Sequence, residues 1–108
     1  MKKIAAIAEA FRVDVSPHNP QSEVSTLASL HVSMSTPNCT LLEIGSGQDP
    51  FWKDLFFGGH FRYEKGFAPP PTRPGLGIDL DEKVAAKFPY EEKAWSTLRL
   101  PDGSFVDR

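Results

Sequence analysis

The sequence has almost no cysteine and no long apolar run, and each absence excludes a class of protein. Because Cys39 is the one cysteine among 108 residues, an internal disulfide and a multi-cysteine metal site are both excluded. The apolar stretch that follows Lys2 and Lys3 is interrupted by Glu9 and Arg12, so it is too short for a membrane span or the core of a signal peptide. We therefore expect a cytosolic protein with no membrane partner.

The charged residues are nearly balanced, with 12 Lys and Arg against 14 Asp and Glu and a formal net charge of −2. The sequence contains no stripe of basic residues that would neutralise a phosphate backbone. We therefore do not expect nucleic acid as a partner. A chain of this length fits one domain only if it has enough regular structure to close an apolar core.

The first part of the chain alternates between helical and extended patterns. Residues 2–11 and 23–35 carry apolar side chains at helical spacing, and Ser22 is placed to cap the second helix. Residues 12–16 and 39–44 have the patterns of strands, and the second run is apolar enough to be buried on both faces. Helix, strand, helix, strand is the order of an α/β fold in which a right-handed crossover joins parallel strands.

Each of the two predicted helices has one face that needs a packing partner. On the first helix this face consists of Ile4, Ile7, Ala8 and Phe11. On the second helix it consists of Val24, Leu27, Ala28, His31 and Ser35.

The second part of the chain is too irregular for another full α/β unit. Residues 49–57 are rich in aromatic side chains, and we expect them to pack as a short helix or loop over an apolar surface. Residues 61–67 predict a hairpin with Gly66 in its turn. Asp81 is placed to cap a short helix over residues 82–87.

One possible base and one acid stand at corresponding places in this pattern. His18 follows the first predicted strand, and Glu43 lies near the carboxyl end of the second. Because neighbouring parallel strands lie about 4.8 Å apart and end at the same edge of the sheet, these two side chains can meet. A loop histidine is more often a solvated turn residue, and a carboxylate inside an apolar strand is either functional or held in a structural ion pair. Together the two residues predict a site.

The other candidates have simpler structural explanations. His31 lies on the apolar face of the second predicted helix, where we expect a packed, hydrogen-bonded core residue. His60 follows two glycines and is expected in a loop. The sequence GLG at 75–77 lacks the third glycine and the preceding parallel strand of a dinucleotide-binding loop. Trp52, Phe56 and Phe57 are expected to cover a core rather than to stack on a ligand.

Several short segments occur in a recognisable order. The first part contains SPHNP at 16–20, ASLH at 28–31, PN at 37–38 and LLE at 41–43. The second part contains FRYEKGF at 61–67, RPGLGI at 73–78 and LPDGSF at 100–105. The first set resembles the last two barrel units of the mandelate racemase/muconate lactonizing enzyme family of the enolase superfamily. The second set is similar to the segment that leaves the barrel in that family and to the tails of its galactonate and mannonate dehydratases.

The resemblance implies a fold and a division of the chain. The fold class would be α/β, as the C-terminal fragment of a (β/α)-barrel, with its last α/β units in residues 1–45. Residues 46–108 would form an irregular tail, containing a hairpin and a short helix, that closes and caps the barrel.

The resemblance also implies roles for three residues. His18 would take or return the proton alpha to the carboxylate of a sugar acid, Glu43 would hydrogen-bond that carboxylate and stabilise the enediolate, and Asn19 would bind substrate. Mg²⁺ is implied as the cofactor, but the family's three carboxylate metal ligands have no counterpart in this chain. The expected function is therefore that of a C-terminal fragment of a magnesium-dependent acid-sugar dehydratase, inactive alone.

Three alternatives stay open at this point. The family also contains racemases and epimerases, so the parent enzyme is either a lyase or an isomerase. A small non-catalytic interaction protein derived from the same fold would cover its strand edges with a partner or by self-association, whereas a fragment would need its missing N-terminal portion. An autonomous hydrolase built on His18 and Glu43 lacks a Ser or Cys nucleophile at a suitable turn.

Overall fold

The fold is taken from a computed structural model of the chain, which describes residues 1–20, 22–45, 54–58, 61–92 and 99–104. Its elements in chain order are α1 (Lys2–Ala10), α2 (Glu23–Met34), β1 (Phe56–Phe57), β2 (Asp79–Leu80) and α3 (Glu82–Ala85). No helix in the described part of the chain is long and apolar enough to cross a membrane.

The first helix ends in a hydrogen-bonded C-terminal cap. The N–H of Arg12 donates to the carbonyl of Glu9, and the N–H of Val13 donates to the carbonyl of Ala8, the pair of bonds that defines a Schellman motif. Arg12 has a φ of 57°, a left-handed conformation that glycine adopts more easily. Because of this turn, α1 ends at Ala10, one residue before the predicted end at Phe11.

The apolar face predicted on α1 has no partner among the described residues. Ile4, Ile7 and Phe11 are 62%, 65% and 76% exposed. The helix instead buries Ala5, and it is tied to the end of α2 by hydrogen bonds from the amine of Lys2. A row of large exposed apolar side chains on one helix face is typical of a surface that another polypeptide covers.

The second helix is confirmed, but its cap and its buried face differ from the prediction. Ser22 occupies the N-cap position without a side-chain hydrogen bond to the first turn. The predicted face is wrong in phase, since Val24 is 41% exposed and Ala28 is also exposed. The residues that α2 buries are Glu23, Thr26, Leu27 and Leu30. Thr26 can be buried on this face because its hydroxyl accepts from the amide of Asn19 and donates to the carbonyl of Ser22, so no unpaired hydroxyl is buried.

The two segments predicted as strands lie side by side and run in the same direction, but they form no regular ladder. The N–H of Val15, in the first segment, donates to the carbonyl of Asn38, directly before the second, at 2.8 Å. Near their ends, the N–H of Gly45 donates to the carbonyl of Asn19 at 3.0 Å. The assignment of both segments as regular strands is therefore wrong. An isolated parallel pair is marginal, and within the described residues no other strand pairs with these segments.

The second of these segments is not buried on both faces, as its composition predicted. Leu41 is 72% exposed and Ile44 is 40% exposed, whereas Leu42 is half-buried. Burial of an apolar run depends on a second layer of structure. Among the described residues, no such layer covers the outer side of this segment.

The C-terminal part is held together by turns and by one short sheet. β1 pairs antiparallel with β2, so the last part of the aromatic segment is a strand rather than the predicted helix or loop. The predicted hairpin is confirmed: Glu64 and Phe67 bridge each other, and Lys65 and Gly66 both have positive φ, as a type I′ turn requires. Asp81 caps α3 as predicted, by accepting from the N–H groups of the helix's first turn.

The chain is more extended than a closed domain of its size. Its radius of gyration is 17.4 Å, whereas a compact domain of about 100 residues has roughly 13 Å. The buried apolar side chains among the described residues are Ala5, Leu27, Leu30 and Leu55. So small a core leaves most of the apolar surface of the helices in contact with solvent.

The exposed face of α1 gives a first prediction. We expect the purified chain to associate, because burial of Ile4, Ile7 and Phe11 is favourable by about 25 cal/mol per Å² of apolar area. Ile7→Lys places a charge on this face and should shift the chain towards the elution volume of a 12.0 kDa monomer in size-exclusion chromatography. Ala6→Lys is the matched control, since it adds the same charge at an exposed position of α1 that lies away from this face. A wild-type chain that elutes as a monomer and unfolds in one sharp transition would contradict the prediction.

Candidate functional site

His18 and Glu43 meet at the edge where the two parallel-running segments end. Nδ1 of His18 lies 2.8 Å from Oε2 of Glu43. The side chain of His18 is 80% exposed and that of Glu43 is 45% exposed. The pair is therefore an open, hydrogen-bonded acid and base on the protein surface, at the same end of both segments as the chain direction predicts.

The local sequence explains why the first segment stops at this place. Pro17 and Pro20 bracket His18 and Asn19, and proline both fixes its own φ and disfavours helix at the residue before it. Pro17 is buried and Pro20 is exposed. The turn between the two prolines is thus constrained to present His18 outwards while Asn19 points inwards.

The second segment approaches this turn closely, and a glycine makes the approach feasible. A Cβ added to Gly45 would lie 2.9 Å from the Cα of Pro20 and 3.0 Å from the carbonyl oxygen of Asn19. Both contacts are with backbone, which cannot move aside as a flexible side chain would. Gly45 therefore allows the hydrogen bond from its own N–H to Asn19, which holds Glu43 beside His18.

Asn19 lies beneath the pair and is completely buried. Its backbone N–H donates to Oε2 of Glu43 at 2.8 Å. Its side-chain amide donates to the carbonyl of Glu43 at 2.9 Å and to the hydroxyl of Thr26 on α2 at 2.8 Å. The contacts that the structure gives this side chain all lie within the protein, and the predicted role in substrate binding stays a prediction.

The carboxyl group of Glu43 is ionised at neutral pH. The hydrogen bond from the N–H of Asn19 is the main cause that lowers the pKa of Glu43 below its usual 4.5. Partial desolvation opposes this effect, whereas the hydrogen bond and charge of His18 lower the pKa further. An ionised carboxylate only accepts hydrogen bonds, so the ring of His18 must donate through Nδ1.

This donation determines what the pair can do chemically. A neutral imidazole that carries its proton on Nδ1 has a free lone pair on Nε2. Within the described part of the chain, neither Nε2 of His18 nor Oε1 of Glu43 makes a hydrogen bond. The arrangement therefore offers a base at Nε2 and an acceptor at Oε1, while Glu43 stabilises the imidazolium that forms when the base takes a proton.

The other sequence candidates lie elsewhere. His31 is half-buried on α2, and its Nε2 has no hydrogen-bond partner among the described residues, which contradicts the hydrogen bond predicted for its ring. Gly75 and Gly77 form turns with positive φ. Phe56 is half-buried, whereas Phe57 is 59% exposed, so the prediction that Phe57 covers a core is wrong. His60 and Trp52 fall outside the described residues.

The described residues do not fit the magnesium ion that the resemblance implies. In that part of the chain, no three or more His, Cys, Asp or Glu side chains come close enough together to hold a metal ion. Mg²⁺ needs an almost octahedral set of oxygen ligands. No step of the chemistry can therefore be assigned to a metal held by these residues.

Two residues of the site were missed by sequence reasoning. Thr26 is one of several hydroxyl residues on α2, and its one signal is that it lies three residues after Glu23 and four before Leu30, on the same face of the helix. Gly45 directly follows the predicted strand 39–44. A glycine directly after an apolar run is also a signal for close backbone approach.

The chain is similar to known proteins over most of its length. Residues 1–84 match the family described as enolase C-terminal domain-like. The chain is 39% identical to a D-galactonate dehydratase family member of Streptomyces bingchenggensis, over 99% of this chain and 26% of that protein. It is 36% identical to a D-mannonate dehydratase of Caulobacter vibrioides, over 99% of this chain and 27% of that protein.

A solved structure supports the same relation. An enolase from Pantoea ananatis with bound D-gluconate and magnesium is 34% identical and superposes with a TM-score of 0.79, over 95% of this chain and 25% of that one. The chain thus spans about a quarter of the length of the relatives that it matches.

The ionisation of Glu43 gives a second prediction. Because the folded state lowers the pKa of Glu43, its ionisation stabilises the fold above pH 4.5, and this contribution is lost as the pH falls through the lowered value. A ¹³C NMR titration of the Glu43 carboxyl carbon should have its midpoint below 4.5. His18→Asn should raise the midpoint only in part, since the bond from Asn19 remains. A midpoint at or above the usual value in the wild-type chain would contradict the assigned contacts.

Proposed function

The chain belongs to the enolase C-terminal domain-like family, and on this premise we propose that it is the C-terminal, base-carrying part of a magnesium-dependent acid-sugar dehydratase. The fold is part of a (β/α)-barrel, as the resemblance implied. In this proposal, residues 1–45 are the last barrel units and residues 46–108 are the tail that closes and caps the barrel. The contact between Nδ1 of His18 and Oε2 of Glu43 is the observation that carries the proposal.

The proposed step at His18 is a proton transfer. Nε2 takes the proton alpha to the carboxylate of a sugar acid, so the C–H bond breaks, an N–H bond forms, and the electron pair moves onto the carboxylate oxygens as an enediolate. The β-hydroxyl then leaves as water, with its proton supplied by a residue outside this chain. Glu43 balances the positive charge of the imidazolium through the Nδ1–H bond.

The ionised state of Glu43 refines the contact proposed between this residue and the substrate. A carboxylate cannot donate a hydrogen bond to another carboxylate. Oε1 of Glu43 can accept from a hydroxyl of the sugar acid directly, and it can meet the substrate carboxylate only when one of the two groups carries a proton. A hydrogen bond between Oε1 of Glu43 and the enediolate therefore requires that one of these two groups takes up a proton during the reaction.

The remaining parts of such an enzyme would come from outside the described residues. A bound Mg²⁺ would supply charge stabilisation for the enediolate, but the described residues contain no ligand set for it. The uncovered apolar face of α1, with Ile4, Ile7 and Phe11 exposed, supports a partner polypeptide that corresponds to the preceding barrel units. On this proposal, the isolated chain is inactive.

A second candidate function is favoured by the same face of α1. A non-catalytic interaction protein would use Ile4, Ile7 and Phe11 to bind a partner without any chemistry at His18. The two functions differ in their dependence on His18, because replacing it would leave partner binding intact.

A chimera tests the role of the pair. The part of the Caulobacter D-mannonate dehydratase that precedes the matched region is joined to this chain, and turnover of D-mannonate is measured. General acid–base catalysis contributes about 10²–10⁴-fold, so His18→Asn should lower kcat by a factor in that range. Glu43→Gln should also lower kcat, while His31→Asn, the matched histidine control away from the pair, should leave it within a few-fold.

Two results would count against the proposed role. If a folded chimera with His18→Asn turns over D-mannonate as fast as the unsubstituted chimera, His18 is not the base. If the chimera folds like the parent dehydratase but does not turn over D-mannonate, this chain cannot replace the corresponding part of that enzyme, and the proposed function is wrong.

The isolated chain gives a further prediction. We expect no turnover of D-mannonate or D-galactonate by the pure 108-residue chain, and no saturable magnesium binding in isothermal titration calorimetry. No turnover is expected because a proton alpha to a carboxylate is barely acidic without additional charge stabilisation. No magnesium binding is expected because the described residues contain no cluster of metal ligands. Turnover that disappears in the His18→Asn variant would show that the chain is an enzyme by itself.

A further inference from the structure

We infer that Asn19 is a positioning residue, which fixes the carboxylate of Glu43 and, through it, the ring of His18. This role rests on the proposed function of the His18–Glu43 pair. The contacts that support it, however, exist whether or not the pair catalyses a reaction, and they can be tested without an activity assay.

The burial and hydrogen bonds of Asn19 distinguish it from the rest of the site. Asn19 is 0% exposed, whereas His18 and Glu43 are both exposed. Its side-chain amide joins the backbone of Glu43 to Thr26 of α2, through bonds of 2.9 and 2.8 Å. Its backbone N–H donates to the Glu43 carboxylate, and its carbonyl accepts from the N–H of Gly45. One residue thus holds the backbone and the side chain of Glu43 at the same time.

This double hold restricts the freedom of a long side chain. An exposed glutamate loses rotamer entropy when it is fixed, so it stays in one place only if several bonds hold it. Oε2 of Glu43 receives its hydrogen bonds from two consecutive residues, His18 and Asn19. When Asn19 fixes this oxygen, Nδ1 of His18 has a stationary acceptor, which selects the ring tautomer that leaves Nε2 free.

The chain contains a matched residue that ties the same two segments at their other end. The side-chain amide of Asn38 donates to the carbonyls of Ala5 and Val13, at 3.1 and 2.9 Å. Its Oδ1, like that of Asn19, is buried without a hydrogen-bond partner in the described part of the chain. Asn38 therefore has a similar structural function, but the hydrogen bonds that the structure gives it within the described residues do not include Glu43 or His18.

The test measures the state of the pair directly by NMR. The full chain is labelled with ¹⁵N-histidine and ¹³C-glutamate and kept dilute enough to remain unassociated. In the wild-type chain, the ring nitrogens of His18 should show the Nδ1–H tautomer. Asn19→Ala keeps the backbone N–H of residue 19 but removes the side-chain amide that holds this turn against the backbone of Glu43 and Thr26. It should therefore loosen the bond to Oε2, shift the ring signature towards the Nε2–H tautomer and raise the titration midpoint of the Glu43 carboxyl. Asn38→Ala should change neither signal, although it removes the same number of side-chain hydrogen bonds.

Thr26→Val provides a second variant in case Asn19→Ala fails to fold. It removes one acceptor of the Asn19 amide and leaves Asn19 in place, so a smaller shift in the same direction is expected. An unchanged His18 tautomer and Glu43 midpoint in a folded Asn19→Ala or Thr26→Val chain would overturn the positioning role, and so would equal shifts in Asn38→Ala. These outcomes do not depend on turnover, so they are distinct from a failure of the proposed function, which would appear as an inactive chimera.

Discussion

The arrangement of the site depends on a single carboxylate oxygen. Oε2 of Glu43 accepts from the ring of His18 and from the backbone of Asn19, and both distances are 2.8 Å. Hydrogen bonds to an ionised acceptor are stronger than those between neutral groups. Because the two donors belong to adjacent residues between Pro17 and Pro20, both reach the oxygen from the same turn. The second segment can come near enough only because it continues into Gly45, where a side chain would collide with the turn.

That His18 and Glu43 lie at the same edge could be predicted from the sequence, because it follows from the direction of the two segments. Two segments joined by a helical crossover run parallel, so residues after the first and near the end of the second lie at one edge. The cap at Asp81 and the turn at Lys65 and Gly66 were predictable for a different reason, since their geometry is determined by a few neighbouring residues. The direction of the chain and the geometry of its turns are therefore predictable even where the packing of the elements is incomplete.

Burial could not be predicted in the same way, because it depends on what covers a residue. The apolar composition of residues 39–44 indicated a strand enclosed on both sides, yet Leu41 is exposed where no described layer covers it. The face of α2 was predicted from apolar spacing, but the helix also buries Thr26, whose hydroxyl accepts a hydrogen bond from the amide of Asn19. A buried polar pair of this kind has no periodic signal in the sequence. The position of Asn19 beneath the site could therefore not be predicted from the sequence.

The size of the proposed catalytic effect explains why a correctly arranged pair is not a complete active site. Enzymes accelerate their reactions by roughly 10⁶–10¹⁷-fold, whereas a positioned base contributes about 10²–10⁴-fold. The rest has to come largely from groups that stabilise developing charge, which is usually the largest single contribution. The described residues offer His18 and Glu43 but no cluster of metal ligands, and the chain spans about a quarter of its relatives. The exposed face of α1 therefore belongs to the same proposal as the pair, because the polypeptide proposed to cover this face would also supply the groups that stabilise the developing charge.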